Sequence, residues 1–240
     1  MLSQTLAQIE SVLVAQSPEA ASQRFFEALS LHGATYLQTR LYRRPLATLT
    51  SETHYRAGGV VARIAPSGWA GSDAFNYVCF DCNPLLGAIR ESRTRYRFSD
   101  FAAHEDRAFG SYWDALSEAG INEALCATSY GPDRTIASLH LGFAHREFTP
   151  EQSRAIHMVG LVLTERLMEF AAPANDLPPL TRRERDCLAF VADGHTDAEI
   201  ADLLVISEPT VRFHLNNARG KLGAVNRAQA VARFAIRGLM

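Results

Sequence analysis

Hydrophobic positions along the first two thirds of the chain change their spacing several times. Steps of three and four residues predict helices over 3–15, 18–31, 66–75, 83–91, 105–119 and 149–170. Alternating or continuous apolar runs predict strands at 33–42, 59–65, 96–98, 124–129 and 134–144, the last two joined by a turn at 130–133. This order predicts an α+β fold, in which an α/β/α sandwich surrounds an antiparallel sheet.

Residues 180–240 show helical spacing throughout. Four helices are predicted, each beginning at a residue whose side-chain oxygen can cap free backbone amides: Thr181, Thr196, Ser207 and Asn226. A short turn joins the second helix to the third, and the third is basic, which is the pattern of a helix-turn-helix. The sequence therefore predicts a C-terminal four-helix domain of this kind.

A proline-rich stretch separates the two patterns. Three prolines fall within residues 173–179, and proline favours an extended connector over a continued helix. We therefore predict an N-terminal domain over 1–172, a linker over 173–179 and a C-terminal domain over 180–240.

Charge is divided unevenly between these domains. The chain of 240 residues has a net charge of −2, but residues 181–240 carry +2 and residues 1–180 carry −4. After Glu208 there are six basic side chains and no acidic one. A basic region on an otherwise acidic protein suits binding of a polyanion by that region alone. A solvated helix face would show the same charges.

The C-terminal sequence resembles the LuxR-type DNA-binding domain over all of 180–240. The resemblance is carried by Leu180–Glu184, Glu199–Ala201, Ile206-Ser207, Thr210-Val211, Lys221-Leu222 and Asn226-Arg227. It implies that the helix after Ser207 enters the major groove of DNA. In that helix, we expect Arg212, Phe213 and Asn216 to contact bases.

The remaining DNA contacts are expected to be phosphate contacts, from Thr196, Thr210, Arg219, Lys221 and Arg227. Two other interpretations stay open. Lys221 could cover the domain core with its aliphatic stem, and Glu184 could cap its helix and pair with a nearby arginine.

The N-terminal sequence resembles the autoinducer-binding domain of quorum-sensing LuxR regulators. The resemblance rests on the order of predicted elements and on Pro66–Trp69, Asn76-Tyr77, Asn83-Pro84 and Ala119–Ile121. It implies a cavity that holds an acyl-homoserine lactone between the sheet and one helical layer, with the Trp69 indole N–H on the lactone carbonyl. Tyr77 and Phe98 are further expected contacts, Phe98 standing where the family has a tryptophan.

Several polar positions depart from the family pattern. Asn83 stands where the family has an aspartate that accepts the ligand's amide proton, and Asp81 is the alternative acceptor because it follows Tyr77 by the family's spacing. Ala65 replaces a tyrosine, and His140 replaces a serine or threonine. The ligand is therefore an acyl- or aryl-homoserine lactone, another small molecule, or absent.

Other candidate chemistry is sparse. Cys79 and Cys82 form a C-x-x-C pair, but no second pair completes a zinc site, and two ordinary thiols are expected. The eight histidines show no metal-ligand spacing, so we predict no metal, no catalysis and no cofactor. Without a signal-peptide pattern or an apolar run near the roughly 20 residues that span a bilayer, we expect a cytoplasmic protein with no membrane partner.

Together these features predict a ligand-responsive transcriptional regulator. A single helix-turn-helix makes few contacts, so we expect a homodimer on an inverted-repeat site in double-stranded DNA, with RNA polymerase as a possible partner. The expected dimer contacts are Ile156, Val159, Leu163, Leu167 and Phe170 on the long helix, and Val231, Ala235 and Leu239 on the last. The alternative is a ligand-independent regulator or an anti-activator that pairs with another regulator.

Overall fold

A computed structural model of the chain describes residues 10–131, 134–171 and 180–238. The chain divides into two compact units, Met1–Ala171 and Ala172–Met240. The predicted linker 173–179, residues 3–9 of the first predicted helix and residues 132–133 of the predicted turn lie outside the described residues. Among the described helices, none is long and apolar enough to cross a membrane.

The first unit is built on a five-stranded antiparallel sheet. In chain order the strands are β1 (Ala34–Arg43), β2 (Val60–Ile64), β3 (Arg95–Arg97), β4 (Glu123–Tyr130) and β5 (Thr135–Phe143). Their spatial order is β2-β1-β5-β4-β3, so the three longest strands form the centre. The predicted antiparallel sheet is confirmed.

Two helices, α1 (Pro18–Ser30) and α6 (Pro150–Ala171), cover one face of the sheet. They pack on its apolar side chains, and two buried hydroxyl pairs add hydrogen bonds: Ser22 with Thr39 at 2.9 Å and Ser129 with Thr164 at 2.8 Å. Gly160 lets α6 approach closely, because a Cβ there would lie 3.0 Å from the Ala127 side chain.

The opposite face carries a second layer of short helices. These are α2 (Ser51–Arg56), α3 (Asp73–Asn76), α4 (Leu86–Arg90) and α5 (Gly110–Ser117), with a π-helical turn at Tyr77–Asp81. The packing between this layer and the sheet is rich in buried aromatic rings, including Trp69, Phe75, Tyr96, Phe98, Tyr112 and Trp113.

Two local predictions in this second layer are wrong, and one short helix was missed. The helix predicted over 66–75 is mostly turns, because Gly68 and Gly71 adopt φ of +83° and +88°, and α3 alone is helical there. The helix predicted from 105 begins at Gly110, after a 3-10 turn capped by Asp106. Helix α2 was not predicted, although Thr50 begins it with a capping box.

Helix α6 is buried more deeply than expected. Val159, Leu163 and Leu167 are 4%, 0% and 0% exposed within one chain, so they belong to the core and are not in the part of the helix expected to remain for a partner. The same holds for Val231 of the last helix. Ile156, Phe170 and Ala235 are half-buried, and Leu239 lies outside the described residues.

The second unit consists, in its described part, of α7 (Arg182–Ala192), α8 (Asp197–Leu204), α9 (Glu208–Lys221) and α10 (Arg227–Gly238). Each begins at the predicted cap. Thr181 and Thr196 form capping boxes, Ser207 accepts from the Thr210 amide, and Asn226 accepts from the Gln229 amide. The predicted helix-turn-helix, α8 and α9, is confirmed.

Candidate ligand cavity and DNA-reading helix

Helix α9 has one buried face and one exposed face. Val211 and Leu215 pack into the domain core, while Arg212, Phe213 and Asn216 are exposed. The Arg212 guanidinium lies 3.1 Å from the Glu208 carboxylate one turn earlier, and both side chains are about half exposed. An ion pair at the surface contributes little to stability. Arg212 can therefore leave Glu208 and donate to the edge of a guanine base instead.

The predicted phosphate contacts fall into two groups. Thr196 and Arg219 are exposed, and Thr210 is half-buried with its hydroxyl on Ser207 at 2.8 Å. Lys221 and Arg227, in contrast, have acidic partners inside the domain: Lys221 Nζ lies 2.8 Å from Glu184, and Arg227 pairs with Asp197. These two cations therefore have a role inside the domain, and their contact with DNA phosphates stays a prediction.

Glu184 itself is buried and links two helices. Its side chain accepts the Thr181 backbone N–H at 2.7 Å and the Lys221 ammonium at 2.8 Å. Burial alone would raise the pKa of this carboxyl, but the hydrogen bonds from Lys221 and Thr181 outweigh it and hold the pKa below its usual range. Glu184 thus caps α7 and pairs with a lysine of α9, and not with an arginine.

A cavity of about 460 Å³ lies between the sheet and the second helical layer of the first unit. One row of directly opposed residues crosses the sheet beneath it, in the order Tyr96, Cys126, His140, Gln38 and Arg63. A second row contains Thr128, Ser138 and Arg40. Opposed residues of antiparallel strands share a face, so both rows lie on the cavity side.

Four of the seven predicted ligand contacts line this cavity: Trp69, Asn83, Phe98 and His140. The Trp69 Nε1 atom is buried and forms no hydrogen bond of normal geometry in the part of the chain that the structure describes, although the Tyr36 hydroxyl lies near enough to interact with it. His140 Nε2 lies 3.1 Å from the Tyr96 hydroxyl, and its ring meets the Phe98 ring edge-on. An indole N–H can only donate, so Trp69 presents an unmatched donor to the cavity.

Ala65, Tyr77 and Asp81 do not line the cavity. In the wider π-helical turn, Val78 and Cys79 face the cavity, and Asp81 is exposed. Asn83 is held at the cavity by its Nδ2, which donates to the Cys79 carbonyl at 3.1 Å, and its Oδ1 remains as an acceptor. Of the two alternative acceptors, the structure brings Asn83 to the cavity.

Two arginines that the sequence analysis missed also line the cavity. Arg40 is 7% exposed, donates to the carbonyls of Gly58 and His54, and lies 4.3 Å from the centre of the Tyr42 ring. Arg63 donates from Nε to Gln38 at 2.8 Å. Strand alternation was the signal that could have found them, because both fall on the same face as His140.

Two histidines and a cysteine at the cavity, His54, His140 and Cys79, are neutral near pH 7. Burial, assisted by the charge of Arg40, lowers the pKa of His54 to about 3 and that of His140 to about 4. Burial also raises the pKa of the Cys79 thiol to about 11, against the effect of Arg63 and Arg40. Among the described residues that line the cavity, none is an aspartate or glutamate, so its walls carry net positive charge.

The C-terminal helices also have a counterpart among known families. Residues 178–234 match the family model of bacterial regulatory proteins of the luxR family. These residues therefore form a DNA-binding domain of the luxR type. Together with the exposed face of α9, this match identifies residues 178–234 as the DNA-binding domain of a transcriptional regulator.

Similar proteins extend the likeness into the first unit. The transcriptional activator protein BjaR1 of Bradyrhizobium diazoefficiens is 29% identical over 178 residues, which cover 72% of each chain. The quorum sensing-dependent transcriptional regulator RpaR of Rhodopseudomonas palustris is 29% identical over 169 residues, 69% of this chain and 68% of its own. The structure of CepR2, an N-acylhomoserine lactone dependent LuxR family transcription factor from Burkholderia cenocepacia, covers 72% of this chain and 98% of its own at 18% identity, with a TM-score of 0.51. That likeness shows a common fold.

Proposed function

We propose that the first unit binds an acyl- or aryl-homoserine lactone, or a related small molecule, in its cavity and thereby controls DNA reading by α9. The observation that carries the proposal is the buried Trp69 N–H, which lines the cavity and forms no hydrogen bond of normal geometry among the described residues. Leaving a buried donor unsatisfied costs about 1–3 kcal/mol. A ligand acceptor at this place would recover that free energy on binding.

The rest of the cavity suits a partly apolar ligand. Phe98, Tyr112, Leu116 and Ile121 provide apolar wall, while Asn83 and His140 add directional polar groups. Pockets with mostly apolar walls and a few converging polar groups are typical small-molecule sites. The quorum-sensing dependence in the name of RpaR supports the same ligand class.

For the second unit we propose a homodimer on an inverted-repeat DNA site in the cytoplasm. Two recognition helices must lie one DNA turn apart, roughly 34 Å, to read both half-sites. In this role the chain regulates transcription and does not catalyse a reaction, and RNA polymerase is a further proposed partner.

A DNA-binding titration tests the ligand proposal. A labelled duplex, selected from random sequence with the full chain, is titrated by fluorescence anisotropy with and without N-hexanoyl-, N-octanoyl- and N-cinnamoyl-homoserine lactone. We expect at least one compound to change the DNA affinity by about tenfold or more, the scale of ordinary allosteric coupling. No response to any of them, with full DNA affinity throughout, would instead support the ligand-independent alternative.

The two tryptophans provide matched variants for that titration. Trp69→Phe removes the unmatched donor and should weaken the ligand response while leaving the fold. Trp113→Phe is the control, because Trp113 Nε1 already donates to the Ala102 carbonyl at 3.1 Å and does not line the cavity. Equal losses of response in the two variants would contradict the role given to Trp69.

Arg212→Ala tests the reading face of α9. It should remove base preference at one position of each half-site, at a cost of about 1–3 kcal/mol for the preferred base pair. Anisotropy measurements on duplexes substituted at each position in turn provide an internal control. A variant that keeps every base preference of the wild type would show that Arg212 does not read bases.

A further inference from the structure

Several polar groups around the cavity are N–H donors. Besides Trp69 Nε1, the buried His54 Nδ1 has no hydrogen-bond partner within residues 10–131, 134–171 and 180–238. The other ring nitrogen of His54 faces Arg40 Nη1, and a guanidinium can only donate. The neutral imidazole therefore accepts at Nε2 and carries its proton on Nδ1, which makes His54 a second unmatched donor.

Arg63 adds further donors on the same wall. Its Nε is used by Gln38 Oε1, and that oxygen also lies 3.3 Å from the Tyr36 hydroxyl, which donates to it. The acceptor of Gln38 is thus shared. The Nη1 and Nη2 groups of Arg63 carry four more N–H donors, of which the Tyr36 hydroxyl can accept one.

The two guanidiniums also bring charge without a carboxylate. Arg40 is bonded to backbone carbonyls and to a neutral histidine, and arginine stays protonated in proteins. In the described part of the chain, neither Arg40 nor Arg63 pairs with an aspartate or glutamate. Carbonyl dipoles and the Tyr42 ring compensate a buried cation in part, and an anion would compensate it further.

We propose that this cavity takes an anionic ligand, an acyl or aryl compound whose carboxylate lies against Arg63 and Arg40 and accepts from Trp69 or His54. The proposal rests on the proposed function, since it names the ligand class for the same cavity. A carboxylate has two oxygens that accept several donors at once, and its hydrogen bonds to guanidinium are charge-assisted. A lactone carbonyl in that place would match fewer of these donors and would leave the positive charge unbalanced.

Ring-opened and closed forms of one compound provide a matched pair of ligands. N-hexanoyl-homoserine lactone and its hydrolysed form, N-hexanoyl-homoserine, share the acyl chain and the amide but differ in the carboxylate. The corresponding N-cinnamoyl pair provides an aryl body. Each is titrated calorimetrically into the full chain at about pH 6.5, where a carboxylate is ionised. We expect the carboxylate of at least one pair to bind about tenfold or more tightly than its lactone.

Variants of Arg63 on β2 and of Arg43 on the neighbouring β1 test which arginine causes the preference for the carboxylate. Arg63→Gln should weaken carboxylate binding about tenfold while changing lactone binding by less than about threefold, and Arg63→Lys should restore part of the loss because it keeps the charge. Arg43→Gln is the control, since Arg43 is exposed on β1 and does not line the cavity. Circular dichroism of each variant checks that it is folded.

The outcomes separate this inference from the proposed function. Lactones that bind as tightly as the carboxylates, or more tightly, would overturn the anionic ligand and leave the proposed function standing. Binding of neither form in either pair would overturn both. Carboxylate selectivity that Arg63→Gln leaves unchanged would overturn the place given to the carboxylate.

Discussion

Lys221 can help to orient helix α9 through a contact inside the DNA-binding domain, without touching DNA. Its ammonium forms an ion pair with the buried Glu184 carboxylate of α7. This ion pair connects the C-terminal end of α9 to the first helix of the domain. The orientation of α9 therefore depends on a pair that never needs to touch DNA.

Lys221→Ala should destabilise the DNA-binding domain. The change leaves the Glu184 carboxylate buried with one partner fewer, and we expect a loss of about 1–3 kcal/mol. Hydrogen exchange with mass spectrometry on peptides of α7 and α9 measures it in the full chain. The exposed Arg219→Ala is the control, and equal protection in the two variants would show that the Lys221–Glu184 bond contributes nothing.

At the scale of elements, the turn between α8 and α9 contains a strained residue. Val205 ends α8 in the left-handed conformation, with φ of 54° and ψ of 51°, and its side chain is 89% exposed. A β-branched residue is strained there, whereas glycine has no such penalty. The strain sits at the corner that sets the angle between the two helices.

Val205→Gly should therefore stabilise the domain, by about 1 kcal/mol. Urea unfolding of the full chain, followed by circular dichroism, measures the change. Val225→Gly is the matched control, because Val225 is also exposed but does not have a positive φ. If both variants lose stability, the strain attributed to Val205 is absent.

Some elements were predictable because their causes are local. The caps at Thr181, Ser207 and Asn226 each depend on three or four consecutive residues, so the sequence alone could reveal them. The approach of Arg63 to Gln38 depends instead on which strands are neighbours, and the two residues lie 25 positions apart. The π-helical turn at 77–81, which turns Asp81 outward, has no comparable local signal.

At the scale of the whole molecule, three partly buried histidines make the first unit sensitive to acid. Burial lowers the pKa of His54 to about 3 and those of His140 and His157 to about 4. These values lie below the value of about 6.5 for an unfolded chain. Between these limits the unfolded state binds more protons, so stability falls as the pH falls.

Unfolding measured from pH 7 to pH 5 should show this loss, with a slope of up to about 1.4 kcal/mol per pH unit for each histidine. Tryptophan fluorescence reports the first unit, since both tryptophans, Trp69 and Trp113, belong to it. His140→Gln should reduce the slope, whereas the exposed His32→Gln should not. A slope that is the same in all three proteins would contradict the account.

The central claim is that a small molecule in the sheet cavity controls a LuxR-type DNA-binding domain. The most direct measurement is mass spectrometry of compounds extracted from full-length protein purified from cells that make acyl- and aryl-homoserine compounds. The account predicts that wild-type protein and Trp113→Phe each yield one such compound, at roughly one molecule per chain when its concentration in the cell is well above its Kd. Trp69→Phe should yield much less. Wild-type protein that yields no compound and still binds its selected DNA site with full affinity would contradict it.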